Sequence, residues 1–246
     1  MHRKDSIIYG TRPVLEAVKM GKDIEKVLLK KGGRGDASGD LMRELKQYGI
    51  PFQFVPVEKL NKITKKNHQG VIAFISPIPY RDLTEIIQSV FERGKDPLLV
   101  LLDRVTDVRN FGAIARTAEC LGADAILVPA KESAQVNEDA VKTSAGALNK
   151  IPVCRSFDIK ASMEYLKFSG LRSVYTHQSA GKFVHESDLN GPLVIVMGAE
   201  DKGVSRELAE MCDAGVKIPM SGSIDSLNVS VAAGIILYEV QKQRSR

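Results

Sequence analysis

Leu98-Leu99-Val100-Leu101-Leu102-Asp103-Arg104-Val105-Thr106-Asp107-Val108-Arg109-Asn110-Phe111-Gly112-Ala113-Ile114-Ala115-Arg116 decides how this chain is read. The apolar run from Leu98 to Leu102 has no polar alternation, which describes a strand covered on both faces, as in a parallel sheet. A helical pattern follows: Phe111, Ile114, Ala115, Ala118 and Leu121 share one face, and Gly122 stops it. A strand followed by a helix is half of a βα repeat. The alternation continues outward. Strands are expected at Ala125–Val128, Ser173–Tyr175, Leu193–Met197 and Val216–Ile218, and helices at Glu138–Leu148, Ile159–Phe168, Ser205–Cys212 and Val229–Gln243.

Toward the N-terminus the pattern describes a smaller α/β unit. Thr11–Met20 and Leu41–Tyr48 read as helices, and Ile24–Leu29, Phe52–Val57 and Gly70–Ser76 as strands. Lys30–Gly35 reads as a basic flexible loop, and Pro77-Ile78-Pro79 punctuates the unit's end. Arg81–Arg93 looks like a linking helix closed by Gly94 and Pro97. The expected organisation is therefore α/β, with a first domain over residues 1–80, a linker over 81–96 and a parallel-sheet domain over 97–246.

Composition narrows the function class. The chain has 246 residues, 43% hydrophobic and 26% charged, the balance of a globular protein rather than a disordered one. No apolar stretch approaches the roughly 20 residues that span a bilayer, and Met1-His2-Arg3-Lys4-Asp5 leads into no signal-peptide region. A cytoplasmic protein without a membrane partner is expected. Cys120, Cys154 and Cys212 form no C-x-x-C pair and have no His at ligand spacing, so idle thiols are expected and no metal site. The net charge of +5 and pI near 9.0 suit a polyanionic partner. With no Trp, a base-stacking platform is not an obvious mode.

In parallel sheets, ligands sit beyond the carboxyl ends of the strands, so the chemistry belongs in the loops after Leu102, Met197 and Ile218. In the first loop Gly112 and Arg116 share a helix face away from the core. A glycine inside a helix costs about 1 kcal/mol against Ala, so Gly112 is expected to admit a ligand or partner, with Arg116 reaching into the space to grip a phosphate. The blander alternative makes Arg116 a solvated side chain and Asn110 a helix cap. The second loop, Met197-Gly198-Ala199-Glu200-Asp201-Lys202-Gly203, carries Gly-x-Glu-x-x-Gly, where backbone amides can approach a flat ligand and Glu200 can orient a loop. It is neither the dinucleotide nor the Walker pattern. In the third, Ile218-Pro219-Met220 ends a strand, and Ser226 or Asn228 caps the last helix. That helix carries small residues at Ser230, Ala232, Ala233 and Gly234.

In this order, Asn110-x-Gly-x-x-x-Arg116, Gly198-x-Glu-x-x-Gly203 and Ile218-Pro-Met with Ser226-Leu-Asn228-Val-Ser-Val-Ala resemble the SpoU (TrmH) family of RNA ribose 2′-O-methyltransferases. Ile8-Tyr9-Gly10 and His68-Gln69-Gly70-Val71-Ile72-Ala73 resemble the substrate-binding domain of that family's bacterial 23S rRNA guanosine enzymes. Thr11-Arg12-Pro13 departs from it where many relatives carry a His. The resemblance implies a trefoil-knotted C-terminal domain of the SPOUT type, a small L30e-like N-terminal domain, S-adenosylmethionine as cofactor and a homodimer. It implies cofactor contacts at Gly198, Ile218 and Leu227, beside Met197 and Gly203. It also implies a catalytic Arg116, as base or as phosphate clamp, arranged by Asn110, Glu200, Ser226 and Asn228. The implied partner is RNA, 23S rRNA first, with tRNA or a non-catalytic RNA-binding module as alternatives. Outside these motifs, Arg34-Gly35-Asp36 reads as a solvated loop, His68 as an RNA contact or a turn residue, and Gln241–Arg246 as a frayed helix end.

Overall fold

The computed structural model describes residues 7–32, 36–134, 136–223 and 226–245, and the chain divides after Pro79 into two compact units. The first unit contains β1 (Ile7–Tyr9), α1 (Thr11–Lys19), β2 (Ile24–Lys30), α2 (Asp36–Gln47), β3 (Phe52–Val55), α3 (Val57–Ile63) and β4 (Val71–Ile75). Its sheet runs β1-β4-β2-β3. On one face Val14, Val18, Leu41 and Leu45 of α1 and α2 bury Ile24, Val27 and Val71. On the other, Leu60 of α3 packs on Leu28, Val55 and Ile72. The strand expected over Phe52–Val57 ends at Val55; Pro56 instead sits at the N-cap of α3, where its fixed φ and missing N–H suit a helix start.

His68 is a turn residue. It is buried, its Nδ1 accepts the Gly70 N–H at 3.0 Å, and its Nε2 therefore carries the proton donated to Asn61 Oδ1 at 2.9 Å. The basic loop from Lys30 is described as far as Gly32, and Arg34 and Gly35 lie outside the described residues.

The second unit contains β5 (Tyr80–Arg81), α4 (Leu83–Glu92), β6 (Leu98–Asp103), α5 (Val108–Cys120), β7 (Ala125–Pro129), α6 (Glu138–Thr143), β8 (Val153–Ser156), α7 (Ile159–Phe168), β9 (Arg172–Thr176), β10 (Lys182–Phe183), β11 (Leu193–Gly198), α8 (Arg206–Met211), β12 (Ala214–Lys217) and α9 (Val229–Arg244). These strands form one sheet in the order β10-β12-β9-β11-β6-β7-β8-β5, every pair parallel. The α/β expectation holds. β6 and β11 are adjacent and buried throughout, which is why their sequences are continuous apolar runs.

Three expectations need correction. Residues 81–96, read as a linker, belong to the second unit: Asp82 caps α4, and Ile87 packs into the core with Leu99, Leu101 and Leu127. The helix expected over Glu138–Leu148 stops at Thr143, because Ala145 and Gly146 adopt φ of 50° and 88°, and a short 3-10 turn follows at Ala147–Asn149. The closing run is anchored rather than frayed: Gln243 Nε2 donates to Ser187 O at 3.1 Å and Arg244 donates to Asp96 O at 3.0 Å, while Arg246 lies outside the described residues. All three cysteines are free thiols, and burial pushes Cys154 up to about 12 and Cys212 up to about 11. Among the described residues no helix is long and apolar enough to cross a membrane.

Gly112 has a packing role that its sequence context does not disclose. A Cβ there would meet Ala140 O and Thr143 Cβ, both at 2.8 Å, so the glycine lets the backbones of α5 and α6 touch. The space expected for a ligand is filled by α6. Gly112→Ala gains about 1 kcal/mol of helix propensity but forces the two helices apart, at roughly 1–3 kcal/mol. Urea denaturation is expected to show a net loss of stability; an unchanged or raised midpoint contradicts this packing account.

Candidate active site

Parallel register fixes where the loops emerge. Gly198 pairs beside Asp103 across β11 and β6, and Val216 beside Thr176 across β12 and β9. Because β9 lies between β11 and β12, the segments after β6, β11, β9 and β12 leave the same edge side by side. Three of them carry the sequence motifs. The fourth, Thr176-His177-Gln178, carries no motif that sequence reading picks out; the same rule about strand ends applies to it, but strand order is not written in local pattern.

The segment after β11 folds back on itself. The Gly203 N–H donates to Ala199 O at 2.8 Å, and the turn closes so tightly that a Cβ on Gly198 would lie 2.0 Å from Gly203 C and Val204 N. No other residue fits at position 198. Two residues at the end of β6, its last residue and the one that follows, hold this turn. Buried Asp103 accepts the Ser205 N–H on Oδ2 at 2.6 Å and pairs with Arg104 Nε at 3.4 Å. Arg104 in turn donates to Gly203 O at 3.2 Å from a left-handed backbone with φ of 56°. A non-glycine residue in that region stores strain, and here the strained geometry aims a guanidinium at a carbonyl of the turn. Sequence reading assigns neither residue a role.

Above the turn, one carboxylate oxygen gathers all three motifs. Glu200 Oε1 accepts from Asn110 Nδ2 at 3.0 Å, from the Val229 N–H at 3.3 Å and, at short range, from Asn228 Nδ2. Asn228 Nδ2 also reaches Asn110 Oδ1 at 3.0 Å. Both ends of the Asn228 amide are used, because its Oδ1 caps α9 by accepting the Ser230 N–H at 3.0 Å. Asn228 is thus the cap, not Ser226. Asn110 is no cap: Asp107 takes that place on α5, accepting from the N–H groups of Arg109 and Asn110, and leaves the Asn110 side chain for Glu200.

Beside this network lies a cavity of about 320 Å³, a size suited to a small molecule. Met197, Gly198, Gly203, Ile218, Ser226 and Leu227 line it with Glu200, His177 and Lys217. Leu227 and Met220, 37% and 41% exposed, present apolar surface at its mouth, which a flat ring would cover. A cavity of this size with apolar side chains in its lining has room for an adenosine. The His177 ring is fixed, with Nδ1 accepting the Ser179 N–H at 3.1 Å, so Nε2 carries the neutral ring's proton. His185, by contrast, stacks on Phe183 at 5.6 Å and does not line the cavity. Asn110 and Asn228 stand behind Glu200, outside the lining. Arg116 is exposed on α5 and lies outside it too.

Comparison with known proteins identifies the family. Residues 97–238 match the SpoU rRNA Methylase family, and residues 7–81 match the RNA 2′-O ribose methyltransferase substrate-binding family. The YacO protein of Bacillus subtilis (strain 168), assigned to the TrmH family of tRNA/rRNA methyltransferases, is 33% identical over 245 residues, covering 100% of this chain and 98% of its own length. The SpoU methyltransferase AviRb of Streptomyces viridochromogenes, solved with AdoMet, superposes with a TM-score of 0.62 at 28% identity, over 96% of this chain and 89% of that one. The TrmH/SpoU tRNA-modifying enzyme of A. aeolicus is 32% identical over 66% of this chain and 84% of its own, with a TM-score of 0.56. With the network, the cavity and both family matches in one chain, this protein belongs to the SpoU/TrmH family and is an AdoMet-dependent RNA methyltransferase.

Proposed function

We propose that the chain methylates a ribose 2′-hydroxyl of structured RNA, with a guanosine of 23S rRNA as the target. The observation that carries this reading is the Glu200 network beside an adenosine-sized cavity. The ribose is supported by the name of the substrate-binding family that residues 7–81 match, and the 23S guanosine by the motifs at Ile8-Tyr9-Gly10 and His68-Gln69-Gly70. Likeness to the A. aeolicus enzyme favours tRNA as the second reading. The site is expected to work in the cytoplasm, where such RNA is found.

In this proposal Met197, Gly198, Gly203, Ile218 and Leu227 hold the adenosine of AdoMet, which supplies an electrophilic methyl group when bound. The protein's task is then to orient the 2′-hydroxyl and ease removal of its proton. Glu200 serves as an anchor, with three donors held on its Oε1. Ser226 lines the cavity and is proposed to help arrange the site around Arg116. Arg116 has five N–H donors and no acceptor, which suits clamping a phosphate and polarising the hydroxyl.

Arg116 is exposed, so an RNA phosphate or a second copy of the chain can reach it. A second copy is the proposed partner. On α9, Val231, Ile235 and Tyr238 form an exposed stripe, 51%, 38% and 61% accessible, at helical spacing. Gly234 faces α5, where a Cβ would meet Thr117 Cγ2 at 3.7 Å, an ordinary contact that an alanine could make as well. The trefoil knot is proposed from the family membership alone; α9 packs on α5, and Arg244 donates to Asp96 O.

Two measurements test this reading. Light scattering is expected to give about twice the 26.9 kDa chain mass, and a strictly monomeric active enzyme contradicts the role given to a second copy. Methyl transfer to ribosomal RNA lacking the modification is expected to fall by roughly 10²-fold or more in Arg116→Ala, with cofactor affinity nearly unchanged. Substantial rescue by Arg116→Lys assigns charge clamping, since lysine keeps the charge but loses the fork. Full activity in Arg116→Ala removes Arg116 from the mechanism.

A further inference from the structure

A second cavity, of about 630 Å³, shares His177 and Lys202 with the first. The His177 ring rests on the turn after β11: a Cβ on Gly203 would meet its Cδ2 at 3.0 Å and its Nε2 at 3.4 Å. Arg104, Arg206 and Glu207 also line the second cavity, whereas Asn110, Glu200, Ser226 and Asn228 do not. It therefore lies away from the network that gathers the three motifs. Its charges are of both signs. Arg206 is taken up by Glu210 at 2.6 Å, and Glu207 pairs with Lys160 at 2.9 Å. Lys202 is exposed and makes no ion pair among the described residues. Arg104 places Nη2 on Gly203 O and Nε beside Asp103, and its Nη1 makes no hydrogen bond among the described residues. Folding leaves one ammonium and one edge of a guanidinium unused.

AdoMet carries three arms on its sulfur: the adenosyl group, the methyl group and an amino-acid chain. A pyramidal sulfonium points them apart. The first cavity has room for the adenosine, and the methyl group must face the RNA, so the third arm needs a place of its own. That arm ends in a carboxylate and an ammonium on one carbon. A phosphate backbone would be repelled by Glu207 and Glu210, whereas a zwitterion finds a cation for its carboxylate and an anion for its ammonium. We infer that the second cavity receives the amino-acid end of the cofactor, with Lys202 and Arg104 Nη1 on its carboxylate, Glu207 on its ammonium and His177 at the passage between the cavities. Hydrogen bonds to ionised groups are the strong ones, but Lys202 and Glu207 are exposed, so water screens each of them. The inference deepens the proposed cofactor site and rests on the adenosine filling the first cavity.

The test compares two ligands by calorimetric titration of the full-length protein. S-adenosylhomocysteine carries the amino-acid chain; 5′-methylthioadenosine keeps the adenosine and the sulfur but ends in a methyl group instead. Wild type is expected to bind S-adenosylhomocysteine roughly tenfold or more tightly than 5′-methylthioadenosine. Lys202→Gln and Glu207→Gln are each expected to weaken S-adenosylhomocysteine about three- to fivefold and to leave 5′-methylthioadenosine unchanged, so that the two affinities converge. Leu227→Ala, in the first cavity alone, should weaken both ligands alike and serves as the control. Equal affinities in wild type, S-adenosylhomocysteine affinity unmoved by either charge variant, or losses that fall on both ligands alike would overturn the inference and leave the adenosine cavity standing. Binding of neither ligand by wild type would remove the adenosine cavity itself, and the site for the amino-acid end with it.

Discussion

The site depends on one carboxylate oxygen. Glu200 Oε1 accepts hydrogen bonds from Asn110, Asn228 and the Val229 amide, and those partners come from segments far apart in the chain. Bringing such segments together costs loop-closure entropy, though each doubling of separation adds only about 0.6 kcal/mol. Hydrogen bonds to a charged group contribute about 1.5–3 kcal/mol each where water is excluded, and less here because Glu200 is exposed. The network therefore does not hold the domain together. It selects one arrangement of loops that the sheet has already placed side by side.

That placement comes from the sheet. β6 and β11 are buried throughout and paired in parallel, so the end of one fixes the end of the other, Asp103 beside Gly198. From there the constraint passes through short contacts. Asp103 holds the amide at Ser205, Arg104 holds the carbonyl at Gly203, and the turn between them leaves no room for a side chain on Gly198. A rigid turn of this kind presents Glu200 at one height, and the cavity takes its shape between that turn, Ile218 and Leu227. Binding geometry is thus inherited from core packing through only a few residues.

Sequence is most legible where one physical cause dominates. Leu98–Leu102 and Leu193–Met197 announce themselves because both faces are buried and every position is apolar. β5 and β10, two residues each, are too short to carry any period, and β8, Val-Cys-Arg-Ser, is half polar. The helix expected through Leu148 is cut by a backbone reversal at Ala145 and Gly146. Gly112 illustrates a different limit: a glycine in a helix signals close approach, but only the tertiary structure says that α6 approaches rather than a ligand. Local pattern leaves Asn110 open between cap and site residue, and Asp107 decides it by taking the cap. Asp103, Arg104 and His177 are invisible in the sequence because their partners depend on strand order.

The central claim is that Glu200 organises a cofactor pocket, and calorimetric titration of S-adenosylhomocysteine tests it most directly. Wild-type protein is predicted to bind saturably at one site per chain. Glu200→Ala is predicted to bind about tenfold more weakly or worse, the equivalent of one or two of these hydrogen bonds, with its melting temperature little changed. No saturable binding by wild type, or equal affinity in Glu200→Ala, would contradict the account.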